Sequence, residues 1–173
     1  MRRVVDVINN HLRWVQPRLT ERRFELQHGD ESVATLSFRS AFGSFATART
    51  ADGAWTFKRV GFWQTRATVR AQDGLTDLAV FEPKTWSGGG TLRLATGEPI
   101  LVTTNLWQSK IEFQLAQHHV LFRYLTEGFL RQQAELEILP AGKTRPDLPW
   151  LLPFGWYLVV MMHQDSNSVV IVS

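Results

Sequence analysis

The stretch from Leu148 to Met162, LPWLLPFGWYLVVMM, contains no charged residue, no amide and no aliphatic hydroxyl. A helix that is apolar on every side has no face to offer to water, so it must be surrounded by protein or by lipid. The chain before it has a different pattern, because apolar and polar residues alternate there in short segments. This combination constrains the fold more than any other feature, and it predicts that strands wrap around the helix.

The length of the apolar run argues against a membrane span. Its fifteen residues would extend about 22 Å as a helix, at ~1.5 Å per residue, whereas the hydrocarbon layer of a bilayer is ~30 Å thick. Proline is tolerated in the first turn of a helix, so Asp147 as N-cap with Pro149 near the start, or Pro153 as the first residue, both fit. We predict a buried core helix at about residues 148–163, with membrane insertion as the alternative.

Eleven or twelve short strands are predicted before this helix. Their residues alternate between apolar and polar, and turn pairs such as Asp52-Gly53 and Asp73-Gly74 separate them. The predicted strands cover residues 11–16, 22–27, 32–39, 44–49, 54–59, 65–70, 76–81, 91–95, 100–104, 110–115, 120–125 and 134–139. Residues 169–172, VVIV, are a candidate for one more strand after the helix.

Strands at spacings of about ten residues are typical of an antiparallel sandwich or barrel. About eight strands already fill a barrel with their own side chains, so twelve leave a central space that one helix, ~10 Å across, can occupy. The predicted fold is therefore mainly β, a closed antiparallel barrel of about 12 strands around a central hydrophobic C-terminal helix. We expect residues 1–10 to form an arm or a short helix and residues 11–173 to form a single domain.

The apolar run from Leu151 to Met162, together with the strand series from about Asn10, resembles the tubby C-terminal-like superfamily. That superfamily includes tubby domains, phospholipid scramblases and LURP-one-related proteins. The resemblance is one of architecture, because the sequence lacks the tubby signature, the cysteines at which scramblases are palmitoylated, their proline-rich N-terminal region and an acidic calcium loop. It implies a small bacterial protein of the LURP-one-related or scramblase-like type that contacts anionic membrane lipid, and it carries over no site residue.

The sequence offers little catalytic chemistry. With no cysteine there is no thiolate nucleophile, thiolate metal site or disulfide. The neighbouring His118 and His119 would face opposite sides of a strand, and Glu135 and Glu137 read as a solvated edge. Neither a Gly-x-Ser-x-Gly elbow nor a phosphate loop occurs. We therefore predict a protein that is not an enzyme and that has no catalytic residue, no metal and no cofactor.

The first 70 residues are basic, with 12 Lys/Arg against 6 Asp/Glu, whereas the remainder has 7 against 10. The strongest candidate for function is a basic face made by Lys58, Arg66 and Arg70, with Arg59 beside it and Arg22, Arg23 and Arg49 as further members. Arginine binds phosphate through a bidentate fork, and each basic residue near an anionic membrane contributes ~1 kcal/mol. The alternative is an ordinary outer face of the sheet.

The chain has seven tryptophans. We predict that Trp55, Trp150 and Trp156 lie in the core, with their indole N–H groups hydrogen-bonded. Trp63 and Trp107 are placed near strand ends, where the alternative to core packing is anchoring at a membrane interface.

The leading functional hypothesis is a non-enzymatic barrel that binds anionic phospholipid head groups at a membrane surface. The alternatives are a structural or protein-interaction module and a barrel carrying a small apolar ligand. Nucleic-acid binding is not expected, because the net charge of +3 is modest and no recognition motif occurs. The N-terminal segment is interrupted by Asp6, Asn9 and Asn10 and does not read as a signal peptide, so the expected location is cytoplasmic, with peripheral membrane attachment. The sequence specifies neither a protein partner nor an oligomeric state.

Overall fold

The computed structural model describes residues 1–62, 64–84, 88–127 and 132–172, with all side chains except those of residue 117 and residues 169–172. The prediction that concerns Trp63 therefore lies outside the described residues.

Twelve antiparallel strands form a closed barrel, as predicted. Each strand pairs with its neighbours in sequence, and β1 pairs with β12 to complete the cylinder, with Leu12 opposite Leu136. All twelve predicted strands are confirmed, with boundaries that differ by no more than two residues. They are β1 Leu12–Val15, β2 Arg23–His28, β3 Glu31–Phe38, β4 Ala46–Thr50, β5 Gly53–Val60, β6 Arg66–Ala71, β7 Asp77–Pro83, β8 Gly90–Leu94, β9 Pro99–Thr104, β10 Lys110–Gln114, β11 Val120–Glu127 and β12 Gln133–Ile138.

Alternation along each strand separates the interior of the barrel from its outer surface. In β10, Ile111 and Phe113 are fully buried, whereas Glu112 and Gln114 are only partly covered. The same pattern in β5 turns Trp55 and Phe57 inward and leaves Lys58 exposed. Successive side chains of a strand point to opposite faces, so the apolar half of each strand lines the interior.

The described residues also form three α-helices, which are α1 Val4–Val7, α2 Pro140–Lys143 and α3 Leu148–Val172. α3 begins where predicted, and the carbonyl of Asp147 accepts hydrogen bonds from the N–H groups of Trp150 and Leu151. Pro153 lies inside the helix rather than at its first position.

The predicted end of this helix at about residue 163 is wrong. α3 continues to Val172, so residues 169–172 belong to the helix and do not form a last strand. Contacts with the barrel hold the polar part of the helix, since Asp165 pairs with Arg59 and Gln164 pairs with Arg22.

α3 occupies the interior of the barrel. Every residue from Leu151 to Met161 is buried, and each large apolar side chain enclosed in this way contributes roughly 1.5–3 kcal/mol. Aromatic pairs join the helix to the wall: Trp156 stacks on Trp14 with ring centres 5.8 Å apart, and Phe154 meets Phe57 edge-on at 5.2 Å. The wall therefore encloses the helix on all sides, which is the solution expected for an apolar helix.

The core placement of three tryptophans is confirmed. Trp156 is fully buried, Trp55 is 9 % exposed, and Trp150 packs partly buried against the core. The expected hydrogen bond is not found for Trp156, because its indole Nε1 has no partner within the described part of the chain.

The two ends of the barrel differ. At the end where α3 enters, which we call the capped end, Val4 and Val7 of α1 are buried and Arg3 donates a 2.9 Å hydrogen bond to Asp52 in the β4–β5 turn. α3 leaves through the opposite end, the exit end. The described residues of its loops are 16–22, 39–45, 61–62, 64–65, 84, 88–89, 105–109 and 132. Among the described residues, no helix combines the length and the apolar character needed to cross a membrane.

Candidate anion-binding site

A cleft of about 390 Å³ lies at the exit end between α3 and the wall. The ends of β5, β6 and β7 and the β7–β8 loop form its outer side, while α3 forms its inner side. We call it the basic cleft, because three of its side chains are cationic. Its lining residues are Arg59, Thr65, Arg66, Ala67, Phe81, Pro83, Lys84, Gly88, Gly89, Leu158, Met162 and Asp165.

Arg59 reaches the cleft because of its place in β5. It has the same parity as Trp55 and Phe57, so it turns toward the interior at the point where the barrel opens. Its guanidinium donates two hydrogen bonds to Asp165, with Nη1–Oδ1 2.9 Å and Nη2–Oδ2 2.6 Å. Burial lowers the pKa of Arg59, but the hydrogen bonds and the charge of Asp165 outweigh burial and raise it overall. Arg59 is therefore a fixed cation whose bidentate face is taken by a carboxylate of the same chain.

Arg66 and Lys84 are the other cations of the basic cleft. Both are exposed, and no carboxylate of the described residues lies within ion-pair distance of either one. A β-carbon on Gly89 would lie 2.3 Å from the carbonyl oxygen of Val102, which shows how closely the β7–β8 loop passes β9 at this point. Glycine at this position lets the loop, and with it Lys84, lie against the wall. The cleft thus holds three cations and one carboxylate.

The predicted basic face is present in part on the outside of the barrel. Lys58 stands opposite Thr68 in the β5–β6 ladder, which makes Arg66 and Arg70 its diagonal neighbours, about 7–8 Å away. Arg70 is paired with Asp77. Arg59 does not share this face. The prediction placed it beside Lys58, but adjacent residues of a strand point to opposite sides.

The further candidates Arg22, Arg23 and Arg49 are spread over the barrel and do not extend that face. Arg49 is exposed on β4, near the capped end, and Arg23 pairs with Glu25 at 3.5 Å. Arg22 is at the exit end on another side of α3, where it lines a second cleft of about 400 Å³.

Arg22 is held by neutral groups. It donates hydrogen bonds to the carbonyls of Ser40 and Gly43 and to Gln164 Oε1, and its guanidinium lies 4.0 Å from the centre of the Phe38 ring. Burial lowers the pKa of Arg22, and the neighbouring Tyr157 opposes this only in part. It is a partly desolvated cation without a carboxylate partner among the described residues.

The histidine pair at 118–119 and the carboxylates of Glu135 and Glu137 were considered for metal binding or catalysis, and their contacts in the structure indicate structural roles. Ala116–His118 form a 3₁₀ turn rather than a strand, and within the described residues no cluster of three or more His, Cys, Asp or Glu side chains could hold a metal. Glu137 accepts a 2.6 Å hydrogen bond from Arg123, and Glu135 pairs with Arg13. These carboxylates take part in ion pairs across neighbouring strands.

Sequence reasoning missed Lys84 and Asp165. Lys84 follows Pro83 in a loop without periodicity, and Asp165 lies beyond the predicted end of the helix at about residue 163. The parity of Arg59 with Trp55 and Phe57 was a usable signal that this arginine faces the barrel interior.

Comparison with family models, curated proteins and solved structures finds no match to this chain. The resemblance to the tubby C-terminal-like superfamily stays a prediction that rests on the architecture.

Proposed function

We propose that this protein is a non-enzymatic binding domain for anionic phospholipid head groups, and that Arg59, Arg66 and Lys84 hold the phosphate in the basic cleft. The observation that carries the proposal is the convergence of three cations, with a single carboxylate, in a cleft of about 390 Å³. Small-molecule sites have volumes of roughly 300–1,000 Å³, so a phosphorylated head group is of suitable size. The cytoplasmic face of a membrane, contacted peripherally, is the expected place of action.

Asp165 gives the site an internal competitor. Its carboxylate occupies the bidentate face of Arg59, which is the face that would bind a phosphate. An incoming phosphate can bind Arg66 and Lys84 directly, but it must compete with Asp165 for Arg59. Loss of that carboxylate is therefore expected to raise the affinity for anions.

The alternatives have less support. α3 fills the space in which a barrel would carry a small apolar ligand, and Leu151 to Met161 are all buried. A structural or protein-interaction module would show no dependence on the cations of the cleft. The resemblance to scramblase-like proteins favours lipid over either alternative.

The test is binding of glycerol 3-phosphate and of vesicles that contain phosphatidylglycerol, at low and at high salt. R66A/K84A removes two cations of the cleft, K58A/R70A removes two from the outer face, and R49A/K143A removes two from the capped-end side. Each basic residue contributes ~1 kcal/mol near an anionic surface, so we expect R66A/K84A to weaken binding roughly 30-fold. D165N should strengthen it.

Equal losses for the three double variants would show that binding follows net charge and would overturn the assignment to the basic cleft. A loss in K58A/R70A as large as that in R66A/K84A, with R49A/K143A unaffected, would move the site to the outer face, to which Arg66 also belongs. If the wild-type protein binds neither probe at low salt, the head-group function is wrong and the interaction module takes its place.

A further inference from the structure

Large apolar side chains are exposed at the tips of several exit-end loops. Phe42 is 88 % exposed, Leu106 89 % and Trp107 83 %, and Phe62 and Leu19 add 90 % and 54 %. They come from four different loops, those after β1, β3, β5 and β9. Because the strands follow one another around the barrel in sequence order, these tips are distributed along the rim rather than gathered in one patch.

The loops between strands differ in charge at the two ends, while the capped end also carries Arg3 and Arg145, each of which is paired with a carboxylate. The described residues of the exit-end loops include the cations Arg18, Arg22, Arg39 and Lys84 and, among carboxylates, Glu21. The capped-end loops between strands, residues 29–30, 51–52, 72–76, 95–98 and 115–119, contain the carboxylates Asp30, Asp52, Asp73 and Glu98 and no lysine or arginine. These loops contain no Phe, Trp or Tyr, although Leu75 is 91 % exposed.

We infer that the exit end is a membrane-docking surface, on which the tips of the loops enter the interfacial layer of an anionic bilayer while the cations between them contact head groups. Trp and other amphipathic aromatic residues concentrate at the membrane interface, and basic residues add attraction to anionic lipid. A flat, fluid surface can receive apolar tips spread around a rim, whereas a protein partner would need one continuous contact area. Because the cations lie in the loops of the exit end, this end is expected to bind an anionic leaflet in preference to a neutral one.

The head group bound by the basic cleft would then belong to a bilayer that faces the exit end, and in this respect membrane docking rests on the proposed function. The basic cleft opens at the same end as the tips, so a docked barrel would present Arg66 and Lys84 to the head-group layer. α3 also leaves the barrel there, and its residues from Asp165 to Ser168 are exposed. Insertion by the tips and phosphate binding by the cleft involve different residues, so they can be tested separately.

The first measurement is binding of the 173-residue chain to vesicles of phosphatidylcholine with and without phosphatidylglycerol. F42S/L106S/W107S removes three apolar tips, and L75S removes a side chain of matched exposure from the capped end. We expect the triple variant to lose at least tenfold in affinity for anionic vesicles and L75S to lose nothing. The affinity of the triple variant for glycerol 3-phosphate should remain that of the wild type.

The second measurement locates insertion. The chain has no cysteine, so L106C and L75C each provide one labelling site for an environment-sensitive fluorophore. We expect a blue shift at position 106 with anionic vesicles and none at position 75.

Equal shifts at the two positions, no shift at position 106, or full vesicle affinity in the triple variant would overturn docking by this end. If R66A/K84A still loses glycerol 3-phosphate affinity in that case, the proposed function stands without it. A change in oligomeric state of the triple variant without lipid, together with unchanged vesicle affinity, would instead make the exit end a contact between copies of this chain.

Discussion

Gly155 is a position on α3 where a side chain has no room. A β-carbon built there would lie 2.6 Å from Tyr124 Oη and 3.1 Å from Phe113 Cζ. The Tyr124 hydroxyl donates a 2.6 Å hydrogen bond to the carbonyl of Leu152, so the ring cannot retreat without leaving a buried polar group unpaired. A glycine inside a helix costs roughly 1 kcal/mol relative to alanine. Here that cost is offset by the close approach of helix and wall.

We expect Gly155→Ala to lower the free energy of unfolding by about 1–3 kcal/mol, because it overpacks the core. Urea unfolding followed by tryptophan fluorescence measures the change. Asn167→Ala, on the exposed part of the same helix, is the control and should be neutral or slightly stabilising. Tyr124→Phe removes the nearest atom, so the double variant G155A/Y124F should lose less than the sum of the two single losses. Additive losses would contradict the steric explanation.

His163 links stability to pH at the point where α3 leaves the barrel. Burial lowers the pKa of His163, and a hydrogen bond with the backbone of Gln108 opposes this only in part. The unfolded chain, with a histidine pKa of ~6.5, therefore binds a proton more readily than the folded protein. The contribution of His163 to stability is neutral above that pH and becomes unfavourable as the pH falls below it.

The variant His163→Gln cannot take up this proton. We expect the stability of H163Q relative to the wild type to increase as the pH is lowered from 7.5 to 5. Urea unfolding of both proteins at each pH measures the difference, in which the titrations of other groups largely cancel. A difference that does not change with pH would show that His163 titrates alike in the folded and unfolded states.

At the level of elements, α3 shows where sequence patterns succeed and where they fail. The apolar run predicted the enclosed part of the helix, because a helix that is buried on every side consists almost entirely of apolar residues. The part from Asp165 to Ser168 consists of residues with modest helix propensity, and the VVIV that follows favours strands. The ion pair of Asp165 with Arg59 and the 3.1 Å hydrogen bond from Gln164 to the carbonyl of Phe42 depend on tertiary position. No local pattern could have predicted them.

The start of α3 is fixed by Arg145. Its side chain is 14 % exposed and donates hydrogen bonds to both carboxylate oxygens of Asp147, at 3.0 and 2.6 Å, and to Glu98 in the β8–β9 turn at 2.7 Å. The hydrogen bonds of Asp147, against the opposing effect of burial, raise the pKa of Arg145. This residue therefore ties the first turn of the helix to the capped end of the wall.

Because Arg145→Ala would leave two partly buried carboxylates without their partner, we expect it to lower the free energy of unfolding by about 3 kcal/mol. Arg18→Ala is the matched control, since the Arg18 and Glu21 side chains are 75 % and 48 % exposed. Such an exposed pair contributes less than ~1 kcal/mol. Chemical denaturation of both variants measures the contrast, and similar losses would show that the Arg145 cluster adds no more than a surface ion pair.

For the whole molecule, the fold was more predictable than the site. Strand periodicity and turn pairs are local signals, and they gave twelve strands whose closure followed from their number and from one apolar helix. The basic cleft depends on which strand ends and loops meet at one rim. Lys84 and Arg66 meet through the β6–β7 ladder, in which Ala67 stands opposite Phe81, but Asp165 joins them only because α3 runs through the barrel. Successive loops of the barrel lie at opposite ends, so the difference in charge between the two sets of loops could have been predicted from the sequence once the strands were assigned.

The final prediction separates the enclosed part of α3 from the part that projects. Ending the chain at Asp165 keeps every buried residue from Leu151 to Met161, so it should leave the urea midpoint close to that of the full chain. Ending it at Asp147 removes the whole helix and leaves the wall around an empty space. Each large side chain lost contributed roughly 1.5–3 kcal/mol, and the total stability of a domain is only about 5–15 kcal/mol. Residues 1–147 should therefore fail to fold, with poorly dispersed amide signals in NMR spectra. A cooperative unfolding transition of that fragment would show that the barrel closes without its central helix.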